Sequence, residues 1–152
     1  MLITTYQLAI PKLEWAVDLT IFHVPILIAE QLETVGILRL NGVKRATFPE
    51  LRNVHEHLEG SQLWQFVAPK LESVNPCVHT HSHADSDRLT GFILPETTVI
   101  NAPQLTYVGG LVDTQCAEYF YLPNLIVSWH WYRHPKAKEN YSRESSGGSD
   151  SL

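Results

Sequence analysis

From Cys77 to Tyr132 the chain is a succession of short runs rich in β-branched and aromatic residues, punctuated by Pro95 and Pro103. Such runs read as strands, at Cys77–His83, Leu89–Leu94, Thr97–Ile100, Gln104–Val108 and Leu125–Tyr132. The N-terminal half is more mixed. Leu2 to Ile10 and Trp15 to Val24 predict two strands, and Pro25 suits the first turn of a short helix running to Leu32. Thr34 to Leu40 predicts a buried strand. Asn41-Gly42 then signals a hairpin into a returning strand at Val43–Phe48, because both residues tolerate positive φ. Ser61 is a fair N-cap for a helix through Glu72, with Leu63, Trp64, Val67, Ala68 and Leu71 on one stripe and Pro69 kinking it. No internal repeat is read along the chain.

At 152 residues the chain has the size of one domain that can bury a core without staples. A net charge of −5 and the absence of a basic stripe argue against broad electrostatic binding to nucleic acid. The apolar stretch from Ile21 to Leu32 is broken by His23, Pro25 and Glu30 and is too short to span a bilayer. Cys77 and Cys116 form no CxxC pair, and no secretory leader is evident, so a reduced cytoplasmic protein is expected. Residues 1–134 are read as the folded domain and 135–152 as a disordered polar tail.

Chemistry is concentrated in Pro76-Cys77-Val78-His79-Thr80-His81-Ser82-His83-Ala84-Asp85-Ser86-Asp87. In an extended segment side chains at i and i+2 share a face, so His79, His81 and His83 line up. Paired imidazoles with a carboxylate suit a transition metal, zinc first. A solvated or pH-sensitive histidine cluster is the plainer alternative. A catalytic zinc also needs a third ligand, an open position and a base for its water. Asp113 and Glu33 are candidates for the ligand and the base.

Glu33-Thr34-Val35-Gly36-Ile37-Leu38 and His79-Thr80-His81 together resemble the JAMM (MPN+) family of zinc isopeptidases, over roughly residues 25–129. The resemblance implies an α/β (α+β) fold, an MPN/JAB-like mixed sheet flanked by helices. It implies Zn²⁺ held by His79, His81 and Asp113, with Glu33 as general base. The implied activity is hydrolysis of an amide bond in a protein or peptide substrate, a ubiquitin-like conjugate or precursor among them. Ser82 stands in place of the family's proline and Gly110 in place of its serine. The spacing from His81 to Asp113 demands an inserted hairpin around Leu89–Ile100, and Asp85, Asp87 and His83 are substitute ligands.

Two other readings stand beside this one. One is an MPN-like scaffold or interaction module without catalysis; the other is a cupin-like metal-binding protein. Without the resemblance, Glu33 reads first as the solvated last residue of a short helix, and Asp113 reads at least as readily as a turn residue after Gly109-Gly110. The segment Arg52-Asn53-Val54-His55-Glu56-His57 is read as a solvated loop or helical turn.

Overall fold

A computed structural model describes residues 7–74, 91–128 and 132–133. Every regular element among them is a strand. In chain order these are β1 (Gln7–Ala9), β2 (Trp15–Phe22), β3 (Ile26–Ile28), β4 (Thr34–Asn41), β5 (Arg45–Thr47), β6 (Asn53–Ser61), β7 (Gln65–Val67) and β8 (Ser73–Val74). There follow β9 (Gly91–Ile93), β10 (Val99–Asn101), β11 (Tyr107–Gly109), β12 (Leu111–Asp113), β13 (Tyr119–Tyr121), β14 (Ile126–Ser128) and β15 (Tyr132–Arg133).

All pairings are parallel, and they fall into two sheets. A sheet of short strands runs β1-β3-β5-β7-β10-β13; a second sheet starts with β2, β4 and β6 and continues through the pairs β8/β9, β11/β12 and β14/β15. The register exposes a repeat. Gln7 pairs with Ile26, Ile26 with Arg45 and Arg45 with Gln65, so the chain returns to the same place every 19 or 20 residues. The second sheet keeps the same step, with Leu19 opposite Leu38 and Leu38 opposite Leu58. The protein is therefore a two-sheet β-solenoid of stacked coils.

Corner chemistry makes the coil. In Ala68-Pro69-Lys70-Leu71 the Leu71 N–H donates to the Ala68 carbonyl (3.1 Å), and Leu105 and Leu125 repeat this with Ala102 and Leu122. Proline occupies the second position of each of these turns, where its fixed φ is already correct. At the opposite corner His23, Gly42 and Gln62 occupy equivalent positions with φ of 54°, 71° and 58°. Later coils replace this left-handed residue with turns closed by Thr97 onto Leu94 and Ala117 onto Thr114.

Between the corners, equivalent inward residues stack in columns. Leu32, Leu51, Leu71 and Leu105 form one, and Val35, Val54, Val74 and Val108 another, all fully buried. Size alternates where columns meet: Phe66 follows Ala46 in one, and Ala68 follows Phe48 in the next. Phe66 sits 5.9 Å from Phe48 and 6.0 Å edge-on from Phe92, which reaches across from the other sheet. Outside, pairs one coil apart secure the register: Asn41–Ser61, Asn53–Ser73, Glu50–Lys70 and Arg52–Glu72.

Several expectations are corrected. The α/β MPN-like fold flanked by helices is not present: the described residues contain no helix and only parallel strands. The helix expected over Pro25–Leu32 is β3 and a corner. That expected over Ser61–Glu72 is the end of β6, then β7 and a corner. Asn41-Gly42 does turn the chain, with Gly42 at φ 71°, but it delivers β5 into the other sheet rather than back along β4. The inserted hairpin around Leu89–Ile100 is also absent, since β9 and β10 belong to different sheets. The expected Leu125–Tyr132 strand corresponds to two separate short strands, β14 and β15. A repeat, which the sequence does not readily reveal, organises the described residues. The Cys77–His83 strand and the 135–152 tail lie outside the described residues.

Truncating Phe66 to alanine removes the ring that joins the two sheets and should cost about 3–5 kcal/mol in urea unfolding. Thr97 and Thr114 are fully buried with hydroxyls that have no partner among the described residues. Thr97→Val keeps the shape and removes an unsatisfied group, so it should stabilise by about 1 kcal/mol in the same assay.

Candidate functional site

One coil is longer than the rest, and the excess lies where the histidines are. On β6, Val54 and Leu58 are separated by three residues: His55, Glu56 and His57. Their partners in the next coil are Val74 and Phe92, which are separated by seventeen. Fourteen residues are thus surplus to the coil, all between the end of β8 and the start of β9. His79, His81, His83, Asp85 and Asp87 all fall in this stretch and lie outside the described residues.

The surroundings of that departure point are well defined. β8 pairs with the start of β6 and β9 with its end, so His55, Glu56 and His57 flank the gap between them. On the other flank, β11 and β12 pair with β8 and β9 and are separated by Gly110 alone. Gly91 (φ 140°) and Gly110 (φ 99°) adopt conformations that side chains disfavour, and Gly91 and Gly109 are buried. The insertion is therefore rooted between a strand rich in ionisable groups and a floor without side chains.

His57 is the enclosed member of that strand, with 8 % of its surface exposed. Burial, and then the Arg39 guanidinium, push its imidazole below the usual histidine range, outweighing Glu59, Glu56 and Asp18. It is neutral at pH 7, so its 3.9 Å approach to Glu59 is not an ion pair there. Arg39 is engaged with Asp18 at 2.8 Å. The Thr20 hydroxyl, and then Arg39, hold the Asp18 carboxyl below its ordinary range against a burial effect of opposite sign.

Glu33 and Asp113 are not brought together. Glu33 is an exposed corner residue of the second coil, its N–H donating to Glu14 and its carbonyl accepting from Arg52. Asp113 ends β12, opposite Ile93, which in turn is opposite Glu59. Three coil steps separate the two carboxylates, about 14 Å along the stack alone. A zinc ligand and the base for its water cannot be that far apart. Asp113 nevertheless lies close to where the insertion re-enters. One of its oxygens accepts from Gln115 at 3.1 Å, and the other is buried without a partner among the described residues.

Among the described residues no group of three or more His, Cys, Asp or Glu side chains is placed to hold a metal. Cys116 is an exposed free thiol. No helix among them is long and apolar enough to cross a membrane. The sequence suggests a solvated loop or helical turn at His57, whereas the residue lies on β6 and is buried. The signal was present as the repeat, since Leu38 and Leu58 are equivalent and fix which neighbours join the sheet. No protein-family model, curated protein or solved structure matches the chain.

The titration of His57 gives a testable consequence. Its folded value lies below the unfolded value of about 6.5, so acid favours the unfolded chain. The stabilisation is complete above that unfolded value and is lost as pH falls from it towards the folded value. Urea midpoints for the wild type should fall between pH 7 and 5, and His57→Gln should flatten that slope.

Proposed function

We propose that this protein is a β-solenoid binding module whose functional element is the histidine- and aspartate-rich insertion, and that the element captures a divalent transition metal, zinc above all. The observation that supports this is the fourteen-residue surplus confined to one coil of an otherwise regular stack. Solenoid repeats accept such insertions on one face, often the binding face, because stacking is carried by the residues on either side. The surplus holds three alternating histidines and two carboxylates, a donor set that suits zinc. It is rooted beside His55, Glu56 and His57, with Asp113 near its return. An amide-hydrolysis role for Glu33 gains no support from its distant corner. The cytoplasm is the proposed compartment, on cysteine usage alone.

Removing residues 76–89 leaves Asn75, Thr90 and Gly91 to span the three-residue gap opposite His55–His57. The deletion should unfold as cooperatively as the wild type and bind no zinc in calorimetric titration. His79→Ala/His81→Ala in the full chain should weaken zinc binding by about tenfold or more, while Glu33→Gln should leave it unchanged. Equal zinc affinity in wild type and deletion would exclude the insertion as the metal-binding element.

A further inference from the structure

Among the described residues, nothing covers the outer end of the first coil. Its inward residues Ile10, Leu13, Ala16, Leu19 and Ile21 are only partly buried against the core. Their equivalents one coil on, Ala29, Leu32, Val35, Leu38 and Leu40, are fully buried. β2 closes this end of the described stack, pairing with β4 on one side only. It also exposes Trp15 (68 %), Val17 (71 %) and Phe22 (59 %). Monomeric proteins blunt such an edge with lysine, proline or an unpaired charge. β2 contains no lysine, arginine or proline, and its one charge, Asp18, is neutralised by Arg39 at 2.8 Å.

We infer that this edge pairs with the same edge of a second copy across a two-fold axis. The strand pattern selects that occupant. Trp15 faces outward, Ala16 inward, Val17 and Asp18 both outward, Leu19 inward, and Thr20 outward, where its hydroxyl bonds to Asp18. Over these six of the eight β2 residues the order is the same read in either direction. Antiparallel pairing centred between Val17 and Asp18 therefore matches outward with outward and inward with inward at all six positions. Ala16 meets Leu19 of the second copy and continues the core. Asp18 meets Val17 of the second copy rather than another Asp18. A strand with regular alternation would lose phase at the two consecutive outward residues. The symmetry also closes the contact, so the pairing stops at a dimer.

This inference stands apart from the metal reading and is tested on the full chain by sedimentation equilibrium. The wild type should dimerise, and Val17→Lys should weaken association by about tenfold or more with an unchanged circular dichroism spectrum. The two Val17 positions lie diagonally across the axis. Val17→Cys in a Cys77→Ser/Cys116→Ser background should therefore form an intermolecular disulfide on mild oxidation, and Ile26→Cys on the other sheet should not. A chain that stays monomeric, a dimer indifferent to Val17→Lys, or equal cross-linking at both positions would overturn the proposal.

Discussion

The interaction on which everything else depends is the parallel backbone ladder that joins each coil to the next. It persists through the corners, where Glu33 donates to Glu14, Arg52 to Glu33, Glu72 to Arg52 and Thr106 to Glu72. Parallel pairing demands a long return path between partners. Here that path is the rest of the coil, whose own residues pair one step further along. A single coil can satisfy neither its backbone groups nor its inward side chains. Stability is therefore a property of neighbouring coils, and it is weakest at the ends of the stack.

That ladder explains which features could be read from sequence. The runs at Trp15–Val24, Thr34–Leu40 and Val43–Phe48 are legible as strands, and contain β2, β4 and β5, because β-branched composition reports a pleated, half-buried setting in any topology. The two predicted helices failed for one shared reason. Inward residues around a coil are spaced by a strand's two and a corner's three, as at Leu63, Phe66, Ala68 and Leu71. Averaged over a turn of the coil, that spacing imitates a helical stripe. Pro69 suggests a kink in such a helix, whereas it presets a turn that recurs with Pro103 and Pro123. Asn41-Gly42 correctly announced a positive φ, but conformation at one residue does not choose the sheet that the chain enters next.

The candidate site was visible in composition and hidden in position. Alternating histidines stand out without any knowledge of the fold. Their placement required the repeat, and the same insertion disguised it by stretching one step of 20 to 34 residues. The isopeptidase-like motif matched locally at Glu33–Leu38. Yet Gly36 sits there for a reason internal to the solenoid: a Cβ on it would collide with the Val17 carbonyl of the preceding coil. A glycine required by stacking thus looked like part of a catalytic signature.

An insertion in the middle of a strand ought to be disruptive, since the two ends of β6 then pair with two separate strands, β8 and β9. The adjoining coils limit the damage. β11 and β12 resume the register with a single glycine between them, so the columns through Val74–Val108 and Phe92–Val112 continue unbroken on either side. The fold thereby separates two tasks that compete in most small domains. Coils supply rigidity through neighbours in equivalent register, and the fourteen surplus residues have no counterpart in the register of the adjoining coils. On the proposed metal capture, the three histidines and two aspartates are gathered in the one stretch that has no equivalent in the repeat.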